Sequence, residues 1–302
     1  MLKLDRGERL AMCGIVGLHL RDPSLEPRLG SLAAEMLEAM TDRGPDSSGI
    51  AVYESGIAAC TKYSLRAPAT GYDWARLGAT LSADVRVLGP DAVLSSGSES
   101  RVFLSELAQA APEVTLVSWG ESLEVFKDVG SPREICDRYQ IRSRSGYQAI
   151  GHTRMATESA VTTDHSHPFS PAPDLCFVHN GSFSNYFTVR RDLEAEGVRF
   201  DTDNDTEVGA RLIALEMERG ADLGDAMRAL MKTMDGFYTL LVSTRDQFAV
   251  VRDAFACKPA VIAETPSYVA MASEYHALAG LPDIEKAEVF EPMPEEIHVW
   301  SR

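Results

Sequence analysis

The sequence predicts an α+β fold in which sheets pack against helices. Strand-like apolar runs fall into two groups, and two consecutive helical segments lie between the groups. A third observation is the helix that follows the first strand, with Leu29, Leu32, Ala33, Met36, Leu37 and Met40 at i, i+3, i+4 and i+7 spacing. Such a helix has one apolar face, which another element must cover.

Taken in order, Cys13–Leu20 is apolar with two glycines and reads as a buried strand that starts the fold. The amphipathic helix follows and ends in the turn chemistry of Asp42-Arg43-Gly44-Pro45-Asp46. Gly49–Tyr53 and Ile57–Tyr63 read as a hairpin around Glu54-Ser55-Gly56. From Ser64 to Tyr147 the pattern weakens to a helix near Ser100–Ala111, a strand at Val114–Trp119, and a helix announced by Ser131-Pro132-Arg133-Glu134. That tetrapeptide has a capping residue, Pro at the first helical position and Glu at the third.

Strands at Tyr147–His152 and Leu175–His179 come next, then helices near Asn185–Glu196, from Thr206 to Arg219, and from Leu223 to Met234. Gly197 and Gly220 stop the first two. Phe237–Ser243, Phe248–Arg252, Ala260–Ala263 and Tyr268–Ala272 read as strands, followed by a short helix near Ser273–Ala279. Pro282–Pro294, rich in Glu and Pro, reads as a solvated connection to a last strand near Ile297–Trp300.

Composition narrows the function. The 302 residues hold 29 Lys and Arg against 45 Asp and Glu, a formal net charge of −16. A field of that sign repels phosphate backbones and anionic headgroups, so neither nucleic acid nor a membrane is an expected partner. Mean hydropathy is −0.12, and no apolar run approaches the roughly 18 residues of a transmembrane helix. Cys13, Cys60, Cys136, Cys176 and Cys257 are odd in number and never in CxxC spacing, which predicts neither a disulfide framework nor a zinc site. A reducing cytoplasm is the expected location. The residues before Leu10-Ala11-Met12-Cys13 carry Asp5, Arg6, Glu8 and Arg9 where an exported lipoprotein needs an apolar segment. His165 and His167 have no clear third ligand, so no metal is expected.

The chemistry centres on Cys13. Met12 stands directly before it, so translation from Met12 and removal of that methionine would leave Cys13 as the first residue. Its α-amine, with a reference pKa of about 7.7–8.0, would then serve as base to its own thiol. Cys13-Gly14-Ile15-Val16-Gly17, followed by Asp42-Arg43-Gly44-Pro45-Asp46-Ser47-Ser48-Gly49, resembles the class II glutamine amidotransferases, members of the N-terminal nucleophile hydrolases. The resemblance continues in order through Gly151-His152-Thr153-Arg154-Met155-Ala156-Thr157, Val178-His179-Asn180-Gly181 and Asp205-Thr206-Glu207-Val208, and more loosely through Ala272–Leu278.

This resemblance implies a four-layer αββα sandwich over residues 13–302, with about 64–147 as a branch-specific insertion and residues 1–12 as a leader or a misassigned start. It implies Cys13 as nucleophile and Asn180 with Gly181 as oxyanion donors. Arg154 would fork onto the substrate carboxylate, Asp205 would accept its ammonium, and Thr157 and Gly181 would complete the L-glutamine site. Arg43 and His152 are the implied supporting residues. Met155 and Glu158 depart from the pattern of many relatives, and residues 1–11 ahead of Met12, if retained, would remove the proposed base. The alternative is then a catalytically idle subunit with a structural or glutamine-sensing role.

The motifs fill the chain to Leu278 without an acceptor domain, so the resemblance implies a hetero-oligomer in which ammonia passes to another chain. Among the branches the sequence is most similar to the amidotransferase-like subunit of N-methylglutamate synthase and to glutamate-synthase-like assemblies. This chain would carry no cofactor; any flavin or iron–sulfur cluster would sit in the partner subunits.

Overall fold

The computed structural model describes residues 13–55, 60–155 and 162–302. The chain opens with β1 (Gly14–Leu20), α1 (Leu29–Ala39), β2 (Ser47–Tyr53) and β3 (Thr61–Arg66). It continues with α2 (Trp74–Thr80), β4 (Asp84–Leu88), β5 (Asp91–Ser96), α3 (Ser100–Ala110), β6 (Thr115–Gly120), β7 (Leu123–Val129) and α4 (Pro132–Arg138). β8 (Gln148–Arg154), β9 (Phe169–Ala172), β10 (Leu175–Phe183), α5 (Tyr186–Ala195), α6 (Asp205–Glu218) and α7 (Leu223–Thr233) follow. The last strands are β11 (Gly236–Ser243), β12 (Gln247–Arg252), β13 (Val261–Glu264), β14 (Tyr268–Ala272), β15 (Glu288–Phe290) and β16 (Ile297–Ser301).

Two antiparallel sheets form the centre. One is seven-stranded in the order β15-β13-β14-β1-β8-β2-β7, the other five-stranded in the order β16-β12-β11-β10-β9. The alternation of β1 shows how they stack. Val16, Leu18 and Leu20 face the amphipathic side of α1, whereas Ile15 joins Val178, Leu241, Phe248 and Val250 between the sheets. Gly17 lies on that inner face, and a side chain there would meet Leu241 at 2.6 Å and Phe248 at 2.7 Å, so its glycine permits the close approach of the sheets. Helices α5, α6 and α7 cover the outer face of the five-stranded sheet through Phe177, Tyr238, Leu240 and Val251. The result is the expected four-layer αββα sandwich, and each fully buried Leu on these faces contributes about 1.5–3 kcal/mol relative to exposure.

Among the described residues, which exclude 56–59 of the expected hairpin, its two strands do not pair. β2 lies between β8 and β7 in the seven-stranded sheet, while β3 lies between β5 and β6 in a separate four-stranded sheet, ordered β4-β5-β3-β6. Two strand-like runs around a Ser-Gly turn look alike whether they pair with each other or part company. Here β7 takes the place beside β2 in full register, Ser47 opposite Val129 through Tyr53 opposite Leu123.

Residues 64–147 divide in two. The four-stranded sheet has its own core of Tyr63, Leu65, Trp74, Leu94, Phe103 and Leu107. β7 and α4 instead return to the main sandwich, α4 starting with the Ser131/Glu134 capping box. Glu124 of β7, 2% exposed, ties the two parts together by accepting ion pairs from Lys62, Arg86 and Arg144. Burial pushes its pKa up, but these three cations outweigh that and hold it below its usual value. Pro282–Pro294 also differs from expectation, because β15 within it pairs with β13 at the sheet edge. The short helix after β14 is a single 3-10 turn, Tyr275–Ala277.

Candidate active site

Cys13 stands immediately before β1, whose pairing with β8 sets Gly14 opposite Thr153 and so brings Cys13 to the Arg154 end of β8. Its carbonyl accepts from Arg43 Nε at 2.9 Å, and Arg43 Nη1 donates to Glu274 Oε1 at 2.5 Å. The neighbouring Ser273 accepts from Ile15 N through Oγ at 3.0 Å and donates its own N–H to the Ile15 carbonyl at 2.9 Å. Arg43 and the segment after β14 thus clamp the backbone around Cys13. Burial raises the Cys13 thiol above its usual pKa, against the opposing influence of the Met155 backbone and the charges of Arg154, Lys258 and Arg43. A thiol in that condition needs a base to become a nucleophile.

Arg154 is buried at the end of β8, and its Nη1 lies 3.5 Å from the His165 carbonyl. Asn180 and Gly181 lie in β10, across the inter-sheet core from β1 and β8. The Asn180 side chain is 1% exposed, and its Nδ2 has no hydrogen-bond partner among the described residues. Gly181 has φ of 151°, and a side chain on it would sit 2.1 Å from the Phe237 carbonyl, so the position demands glycine. Asp205 opens α6, where its Oδ2 accepts from Phe183 N at 2.9 Å at the end of β10. Thr157 lies outside the described residues.

His152 is buried in the middle of β8 and stacks on His167 with ring centroids 3.9 Å apart. His167 Nε2 lies 3.1 Å from Thr206 Oγ1, which is also 2.9 Å from His179 Nδ1. Burial lowers all three imidazole pKa values, that of His152 to about 3. They are neutral at physiological pH and form a buried wall joined to the first turn of α6 through Thr206 Oγ1.

Sequence reasoning missed Lys258. Its charge acts on both Cys13 and His179, and its carbonyl accepts from Thr239 Oγ1 at 3.0 Å, Thr239 being the partner of Asn180 in the β10–β11 register. A tight loop presents it. Asp253 accepts from Tyr238 N and Phe255 N, both at 2.7 Å, and Ala256 adopts φ of 48°. A buried Arg252-Asp253 pair ending an apolar strand was the available signal.

Comparison with known proteins places the chain in a family. A family described as "Glutamine amidotransferase domain" matches residues 152–280. The glutamine amidotransferase-like protein GlxB of Rhizobium meliloti is 47% identical over 296 residues, 96% of this chain and 98% of that one. An amidophosphoribosyltransferase of Methanocaldococcus jannaschii is 30% identical over 186 residues, 59% of this chain and 40% of that protein. Among solved structures, glutamine phosphoribosylpyrophosphate amidotransferase from B. subtilis superposes with a TM-score of 0.63 at 19% identity, over 96% of this chain and 47% of that one. The architecture is that of the N-terminal nucleophile amidotransferases. The chain belongs to the class II glutamine amidotransferases, and it is an enzyme of that glutamine-hydrolysing class.

Proposed function

We propose that this chain is the glutaminase subunit of a multisubunit synthase, with Cys13 as its N-terminal nucleophile. The observation that carries the reading is the unpartnered Asn180 Nδ2, a buried donor held beside Gly181. A buried donor without a partner is costly, and an oxyanion formed at this point would satisfy it. In the reaction, Cys13 Sγ bonds to the glutamine carboxamide carbon while the Cys13 α-amine takes the thiol proton. Asn180 Nδ2 and Gly181 N–H donate to the resulting oxyanion. Collapse breaks the C–N bond, the proton passes to the leaving nitrogen, and ammonia departs. Water then attacks the thioester, releasing glutamate and restoring the thiol. Arg154 grips the substrate carboxylate, Asp205 accepts from its ammonium, Thr157 contributes to the same site, and Arg43 and His152 support the frame.

Ammonia would pass to a glutamate-synthase-like partner such as an N-methylglutamate synthase assembly in the cytoplasm. The chain's resemblance and its likeness to an amidotransferase-like protein support that reading. Among the described residues no helix is long and apolar enough to cross a membrane.

The test is the intact mass of the chain purified from its native host, before and after an electrophilic glutamine analogue. A mass beginning at Cys13 that rises by one adduct is expected. A chain that keeps residues 1–12 and takes no label would overturn the reading in favour of the idle subunit. In the active form, Asn180→Ala is expected to lower kcat about 10²–10³-fold, or about 2.7–4 kcal/mol, with little change in KM. Steady-state kinetics check this, and an unchanged kcat would remove Asn180 from the oxyanion site.

A further inference from the structure

A cleft of about 410 Å³ opens between β6, β7, β9 and the start of α6, lined by residues the proposed reaction does not use. Its cations are unequally balanced. Arg66 is paired with Asp91 at 2.7 Å and Asp128 at 3.5 Å, and Arg211 with Asp201 at 2.7 Å and Glu207 at 3.2 Å. Lys127 is 8% exposed and has no carboxylate within ion-pair distance among the described residues. Its Nζ donates to the Ser166 carbonyl at 2.8 Å and lies 4.6 Å from the centre of the Phe169 ring. An ammonium has three protons to donate, and burying one without a counter-charge is costly. Burial, with the charge of Arg66, pushes the Lys127 pKa down to about 8. Ser170, also on the cleft wall, has a buried Oγ without a partner among the described residues.

We propose that this cleft binds a small organic monocarboxylate with a short apolar body, its carboxylate accepting from Lys127 Nζ and Ser170 Oγ. The walls set the class. Val114, Leu116 and Phe169 supply apolar surface, while Asp164, Asp201 and Glu207 make the cleft hostile to a dianion such as phosphate. The occupant also modulates glutamine affinity, a consequence that rests on the substrate-binding roles proposed for Arg154 and Asp205. Thr163 and Asp164 of the cleft adjoin His165, whose carbonyl receives Arg154 and Asn204. On the other wall, Glu207 accepts from Asp201 N at 2.9 Å and Thr202 N at 2.7 Å, two residues beyond Asp205 on the first turn of α6.

Calorimetric titration of the full chain with butyrate, inorganic phosphate and glutamine tests both parts. Butyrate is expected to bind saturably at one site, at least tenfold more tightly than phosphate. Lys127→Met and Thr115→Trp, the latter placing a bulky ring at the exposed rim, are each expected to weaken butyrate at least tenfold. Should Lys127→Met fail to fold, Thr115→Trp decides alone. No saturable butyrate binding, equal phosphate binding, or butyrate binding unaffected by Thr115→Trp would overturn the assignment. Saturating butyrate is expected to shift glutamine affinity several-fold, and an unchanged affinity overturns the coupling. Failure of glutamine itself to bind would count against the proposed function, a result distinct from the butyrate titration.

Discussion

Replacing Cys13 by alanine is expected to lower glutamine hydrolysis by roughly 10⁴-fold or more while leaving glutamine binding within a few-fold of the parent. The loss is large because the thioester route has no second nucleophile. Without Sγ, the proposed oxyanion donors and substrate clamp can assist only water. Under the proposed roles binding survives because Arg154 and Asp205 are held by other parts of the chain: Arg154 by its pairing with Ser47 in the β2–β8 ladder, Asp205 by the first turn of α6 and Phe183 N. The substitution is also mild structurally, since Cys13 is only partly buried and the Arg43 bond is to its backbone carbonyl. Cys13→Ser keeps an oxygen nucleophile and should fall between the two. Ammonia release measured beside calorimetric glutamine binding checks the prediction. Hydrolysis retained in Cys13→Ala would end the assignment of the nucleophile.

The second large effect is on stability in acid. His152 makes no hydrogen bond through either ring nitrogen among the described residues, and His167 Nδ1 and His179 Nε2 are likewise unpartnered. Burial is the main cause of their lowered pKa values; for His152 the charge states of His179 and Arg154 add to it. The folded protein therefore binds these protons less readily than the unfolded chain. Their contribution is fully present above the unfolded value of about 6.5 and is lost as pH falls towards the folded value, about 3 for His152. His152 alone removes about 1.4 kcal/mol for each pH unit below 6.5 across that window. Urea unfolding midpoints from pH 8 to pH 4.5 should fall steeply below 6.5, and His152→Phe should flatten the slope while keeping a ring against His167. A wild-type midpoint that stays level to pH 4.5 would show that these imidazoles gain protons without unfolding.

Much of this was legible in the residues alone. The α1 face, the capping box at Ser131 and the glycine stop at Gly220 are local signals, and local signals survive in the folded chain. The motifs around Cys13, Arg43, Arg154, Asn180 and Asp205 could be read because each pairs a special side chain with a glycine or a strand end. β7 could not. Leu123-Glu124-Val125-Phe126-Lys127 places Glu124 and Lys127 in buried positions, one compensated by three cations and the other left with a carbonyl. Charges at core positions hide a strand from any apolar count. The partner of β2 was likewise out of reach, because pairing is decided by β7, between 70 and 82 positions further along. Lys258 escaped because a loop, and not its neighbours in sequence, brings its charge within reach of Cys13 and His179.

The first turn of α6 carries one further implication. Asp205, Thr206 and Glu207 are consecutive, and a helix turns about 100° per residue, so they point in three directions. Asp205 reaches the end of β10, Thr206 the histidine wall, and Glu207 the cleft beside β9. Any one of these side chains can change alone by substitution. An insertion or deletion within this turn itself would instead rotate every side chain after it by about 100°, so one shift of register there breaks all three contacts at once.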